Sequence, residues 1–186
     1  MASNQFNVAS YNLHGLNSGI SLLLDLCTKF HIIAIQKHWQ SPPNLYKLSK
    51  LHKDFNCFSA SGMNKSLESE ILRGRPFGGV SLLWHKSLSS CITFIGKDIS
   101  GRCIAARLTL GSRSFIICCV YFPCVIKSHD YKVELSHCTG FINSIASADY
   151  LSEIIVIGDM NFSCHIQNTG LETFKEGLAI KCIILY

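Results

Sequence analysis

The stretch Ile154-Ile155-Val156-Ile157-Gly158-Asp159-Met160-Asn161 restricts the chain more than any other. Four consecutive branched apolar residues leave no polar face, so a strand made from them must be covered on both sides, as inside an α/β sheet. Gly158 is read as breaking the run, so that Asp159 and Asn161 emerge at its carboxyl end, where such sheets bind ligands. Two residues apart, their side chains leave the same face if the backbone stays extended. A carboxylate can hold a divalent cation or orient a water, and a neutral amide beside it can hydrogen-bond a phosphate oxygen without repelling it. The competing reading is an Asx turn that closes the strand, since Gly, Asp and Asn are all turn formers.

The rest of the chain supplies partners for that strand. Phe6 to Asn12 alternates and runs into Asn-Leu-His-Gly, a strand opening into a loop. Ser18 is the expected cap of a helix carrying Ile20, Leu23, Leu24 and Cys27 at helical spacing, and His31 to Gln36 is a second buried strand. This βαβ-like opening leaves open whether the two strands are neighbours. A short helical piece is expected around Leu45 to Leu51 and a strand at Phe55 to Ser59. The polar stretch from Gly62 to Pro76 reads as a loop. Val80 to Trp84, Cys91 to Ile95, Ile104 to Leu110 and Phe115 to Tyr121 follow as strands close enough together to form antiparallel ladders, with Gly111-Ser112 as a hairpin turn. An amphipathic helix is expected from Asp130 to Ala146, a further helix from Leu171 to Ile180, and a strand just beginning at Ile183.

The 186 residues suffice for one domain, 1–186, burying about 70% of its unfolded surface. With 48% apolar and 16% charged residues, yet no run long enough to span a bilayer, the chain reads as soluble and without a membrane partner. No basic start with an apolar core marks a secretory signal, so an intracellular protein is expected. The ten cysteines lie mostly in apolar runs and form no Cys-x-x-Cys pair, which favours buried thiols over disulfides or structural zinc. A net charge of +5 permits a polyanionic partner. Arg73 and Arg75, just before Gly78-Gly79, can present guanidinium groups to phosphate.

Five segments stand in a telling order: Ser10-Tyr11-Asn12-Leu13-His14-Gly15, Ile35-Gln36-Lys37-His38-Trp39, Arg73-Gly74-Arg75-Pro76-Phe77-Gly78-Gly79, Val120-Tyr121-Phe122-Pro123 and Gly158-Asp159-Met160-Asn161. Over residues 6 to 165 the chain resembles the endonuclease domain of LINE-type non-LTR retrotransposons, within the endonuclease/exonuclease/phosphatase (DNase I-like) superfamily. The resemblance implies a four-layer α/β sandwich, two packed mixed β-sheets flanked by helices, and a Mg²⁺-dependent phosphodiesterase that nicks DNA. It implies that Asn12 helps hold metal and phosphate, that Tyr121 contacts the scissile phosphate, and that Asp159 and Asn161 position the attacking water and stabilise the transition state. It makes DNA the partner; Arg73, Arg75, Arg102 and nearby lysines are the residues expected to bind nucleic acid. It further implies a nuclear site of action and a reverse transcriptase in the parent polyprotein. An inositol phosphate or sphingomyelin-like head group is the substrate alternative within the superfamily.

Two departures matter. The family's second motif is Gln-Glu, with the glutamate as principal metal ligand, and Lys37 stands in that place. Mg²⁺ takes hard oxygen ligands and an ammonium offers none. Two unit charges at 4 Å interact by about 4 kcal/mol at an effective dielectric of 20, so a divalent ion beside an ammonium meets about twice that in repulsion. The family also closes on Ser-Asp-His. Nothing after Asn161 matches it, and His165, the only histidine there, follows too closely. A C-terminally truncated domain is therefore expected, with cleavage impaired. From another class comes the alternative of a non-catalytic retroelement remnant that binds nucleic acid and nothing more.

Overall fold

A computed structural model describes residues 6–63, 77–124, 131–162, 174 and the backbone of 183–185. Its first sheet has the order β1-β2-β4-β3, formed by β1 (Val8–Asn12), β2 (Ile32–Gln36), β3 (Phe55–Ala60) and β4 (Val80–His85). β1 and β2 are parallel neighbours, joined by helix α1 (Leu16–Cys27), while β4 runs antiparallel to both β2 and β3. The short helix α2 (Tyr46–Ser49) precedes β3. The second sheet follows chain order: β5 (Ile92–Lys97), β6 (Cys103–Leu110), β7 (Arg113–Tyr121), β8 (Glu153–Asp159) and β9 (Ile183–Leu185). β5, β6 and β7 form antiparallel ladders, and β7, β8 and β9 are parallel, with α3 (Tyr131–Ala148) between β7 and β8.

Strand alternation then sorts the apolar residues into three cores. In β8, Ile155 and Ile157 face the other sheet, meeting Ile32, Ala34, Val80 and Leu82. Ile154 and Val156 face the opposite way, under Leu135, Cys138 and Ile142 of α3. Ile33 and Ile35 of β2 lie in the same manner under Leu16, Leu23 and Cys27 of α1. Two sheets face each other with a helix on each outer side, a four-layer α/β sandwich. The unbroken apolar run of β8 is the direct result of lying between two of these layers.

Several details differ from expectation. Ser18 does not cap α1; Gly15 holds that position, and Ser18 sits in the first turn, donating its hydroxyl to the carbonyls of His14 and Gly15. The buried stripe is Leu16, Gly19, Leu23 and Cys27, which turns Ile20 and Leu24 outward. Gly158 does not end β8: the strand continues through it to Asp159, paired in register with Val120 and Tyr121. Of the helix expected at Leu171 to Ile180, only Phe174 lies within the described residues, where it is buried. The eight cysteines among the described residues are free thiols, and burial pushes those of Cys27 and Cys119 up, to about 11 and about 12. Among the described residues no helix is long and apolar enough to cross a membrane.

Candidate functional site

The carboxyl ends of β1, β2, β7 and β8 meet at one rim of the sandwich. Asn12 closes β1 and Asp159 closes β8, 147 positions apart, and Asn12 Nδ2 donates to Asp159 Oδ2 at 2.7 Å. Lys37, the first residue after β2, places Nζ 2.8 Å from the same oxygen. Both members of this ion pair are largely enclosed, with side chains 16% and 17% exposed. Lys37 Nζ also lies 5.0 Å from the centroid of the Tyr121 ring, and the Arg102 guanidinium lies 5.2 Å from that ring. Arg102 is paired in turn with Glu134 at 3.0 Å, from the first turn of α3.

Asp159 and Asn161 do not share a strand face. Asn161 adopts a left-handed backbone (φ 53°), its N–H donates to Asp159 Oδ1, and its side-chain amide donates to the carbonyl of Phe122. The Asx turn is thus present, and the Asp159 carboxylate still reaches the cleft. Asn161 binds the β7 end to the β8 end and presents no amide beside the carboxylate. Arg73 and Arg75 lie outside the described residues.

Backbone geometry marks the same rim. Among the described residues the non-glycine positions in left-handed conformation are His14, Lys37, Trp39 and Asn161, all at these strand ends. Such conformations cost on the order of 1 kcal/mol or more each and persist only where the surroundings impose them. Here Lys37 N–H donates to the carbonyl of Gly79 and Trp39 N–H to that of Gly78, while Gly15 N–H and Leu16 N–H donate to the carbonyls of Lys37 and His38. His38, between them, is fully buried, with Nε2 3.0 Å from the carbonyl of Ala60 and Nδ1 accepting from Gln40 N–H.

Burial pushes His38 down to about 4 from an ordinary 6.5, only partly countered by the carbonyls of Ala60 and Val80. The folded chain therefore resists a proton that the unfolded chain accepts. Stability conferred by the neutral ring is complete above pH 6.5, declines as pH falls, and is fully lost below pH 4, a total on the order of 3 kcal/mol. Urea midpoints measured from pH 7 to pH 4 are expected to fall more steeply for the native chain than for His38→Gln.

Whether Mg²⁺ suits this donor set follows from the atoms. Asp159 Oδ2 is shared by an ammonium and an amide, and Oδ1 accepts from the Asn161 N–H. Asn12 Oδ1, enclosed and without a hydrogen-bond partner, is the one hard oxygen to spare in this group. A hydrated divalent ion needs at least one free carboxylate and no neighbouring ammonium. The residues present do not fit it. Among the described residues no three His, Cys, Asp or Glu side chains cluster as a metal site.

Glu134 is missing from the sequence reading because no motif contains it; its place at the start of α3 pairs it with Arg102, the guanidinium that lies against the Tyr121 ring.

Together, two facing mixed sheets, outer helices and a cleft at the strand ends define a DNase I-like α/β sandwich. Solved structures of enzymes of the endonuclease/exonuclease/phosphatase type share it. The catalytic domain of APE2 from Xenopus laevis superposes with a TM-score of 0.63 at 14% identity, covering 92% of this chain and 66% of that one. An AP endonuclease from Archaeoglobus fulgidus gives 0.62 at 13% identity over 93% of this chain and 70% of its own. The 3′ phosphatase NExo from Neisseria, bound to product DNA hairpin, gives 0.57 at 16% identity over 85% of this chain. This chain spans 58% of NExo's length. No protein-family model and no curated protein sequence matches the chain.

Proposed function

We propose that residues 1–186 form a LINE-type retrotransposon endonuclease domain in which the ammonium of Lys37 has taken the place of the divalent cation. The domain holds a DNA backbone phosphate and does not nick the strand in Mg²⁺. The carrying observation is the enclosed Lys37–Asp159 pair, with Asn12 on the same carboxylate oxygen. An ammonium there can neutralise a phosphate oxygen at the mouth of the cleft, but it cannot lower the pKa of a water as a metal does. Tyr121, held between Lys37 and Arg102, and the amide of Asn12 complete a surface suited to a phosphodiester. The DNA-processing enzymes that share the fold support a nucleic-acid ligand. On this reading the chain acts on DNA in the nucleus, beside the reverse transcriptase of its parent polyprotein.

A supercoiled-plasmid assay with Mg²⁺ in excess tests the cleavage half. The native chain is expected to leave plasmid intact while retaining it in a gel-shift assay. Nicking above the level of a Lys37→Ala variant overturns the proposal. The binding half is read from salt dependence: charge reversal at Arg102 should lower the slope of log K against log salt by about 0.9, one phosphate contact, in duplex DNA. The same reversal at Arg73 and Arg75 is expected to lower it further, and an unchanged slope removes those arginines from the surface.

A further inference from the structure

We infer that the cavity beside Trp39 is a subsite for an unpaired nucleobase, next to the phosphate held at Lys37. This deepens the DNA reading and rests on it for the polymer, though not for the base itself. A cavity of about 330 Å³ is lined by Gly15, Leu16, Asn17, Ser18, Trp39 and Gln40. Its aromatic wall is unusual, because Trp39 is 39% exposed while its backbone is held left-handed. The ring is fixed from behind: a Cβ added at Gly15 would lie 2.6 Å from Trp39 Cε3, so only glycine lets the indole seat there. The ring is thus placed before any ligand arrives, and stacking on it orders little.

The polar lining selects the ligand. Asn17 and Gln40 bring amides and Ser18 a hydroxyl, and among the described residues no charged side chain lines the cavity. The Ser18 proton is already given to the carbonyls of His14 and Gly15, which leaves the oxygen as an acceptor. A flat neutral ring with donors and acceptors at its edge suits this lining, and a phosphate or an aliphatic chain does not. Nucleobases have that character, and aromatic platforms bind them with little sequence preference. Position completes the case. Trp39 lies two residues beyond Lys37, and its N–H donates to the carbonyl of Gly78. A Cβ at Gly78 would fall 3.8 Å from the Tyr121 ring, so Gly78 ties the tryptophan of the cavity to the tyrosine of the phosphate cleft.

Two titrations test this. Thymidine, which carries no phosphate, is expected to quench the tryptophan emission of the native chain and to leave Trp39→Phe, whose remaining tryptophan is the buried Trp84, unaffected. Labelled single strands of about 12 nucleotides should bind the native chain about tenfold tighter than abasic strands of equal length. Trp39→Ala should abolish that difference and Trp39→Phe should largely keep it. Equal affinity for the two strands, or no quenching by thymidine, overturns the subsite while leaving the phosphate reading intact. Quenching by thymidine with no strand bound by the native chain shows the reverse: the base site stands and the polymer reading fails.

Discussion

Lys37→Glu is expected to convert a chain indifferent to Mg²⁺ into one that depends on it for stability. In the native protein Asp159 Oδ2 receives an ammonium at 2.8 Å and an amide at 2.7 Å, in a site closed enough that solvent screens little. The variant puts a second carboxylate where the ammonium was. Removing one partner of an enclosed pair costs about 3 kcal/mol, and repulsion between the two carboxylates adds to it. For a chain of this size that is a fall in Tm of roughly 9 °C in metal-free buffer. The introduced carboxylate, Asp159 and Asn12 Oδ1 would then offer the hard oxygens that the native site lacks, and binding at a hundredfold excess over Kd returns about 2.7 kcal/mol. Thermal unfolding with and without MgCl₂ reads both effects. Lys37→Gln separates them, because it loses the pair without gaining a ligand: it should lose stability and show no Mg²⁺ response. A Mg²⁺ response in the native chain, or none in Lys37→Glu, contradicts the placement of Lys37 in the metal's position.

How far the sequence foretold this site depends on the residue. The fold was legible because its strongest signals are local: β2 and β8 are uninterrupted apolar runs, and each proved to lie between two layers. Strand ends came within a residue or two, since Gly, Pro and Asn punctuate them. Convergence of Asn12, Lys37, Tyr121 and Asp159 was not legible from pattern alone, because it depends on which strand ends adjoin across 147 residues; the order of the motifs supplied it. Asn161 was legible by half. The Asx turn, a local propensity, is present, whereas the bond from its side-chain amide to the carbonyl of Phe122, just past β7, is a tertiary contact that no local pattern encodes. Trp39 stood in a quoted motif without a role, since exposure and a cavity are properties of the folded rim. Gly158 has the pattern of punctuation in the sequence, and it is instead a strand residue that space requires.

That space gives the largest stability effect expected of a single substitution here. Gly158 sits in β8 at φ 146°, outside what side chains tolerate, and a Cβ there would lie 2.0 Å from the carbonyl oxygen of Val120. The obstacle is backbone, paired in register on β7, so no rotamer change can relieve it. Gly158→Ala must therefore pry β8 from β7 one residue before Asp159, at the point where Tyr121 and Asp159 pair. The cost is expected to be on the order of 4 kcal/mol, a loss of roughly 12 °C in Tm, in the class of strain and overpacking effects. Gly140→Ala is the matched control: it lies on the exposed face of α3 with nothing within 4 Å of the added atom, and there alanine should stabilise by about 0.5–1 kcal/mol. Hydrogen exchange locates the damage. Amides of Tyr121 and Phe122, which donate to the carbonyls of Arg102 and Asp159, should lose protection in Gly158→Ala while those of β2 and β4 keep it. If the two alanine variants unfold at the same temperature, β8 does not pass Val120 as closely as this, and the register that brings Asp159 to Lys37 is wrong.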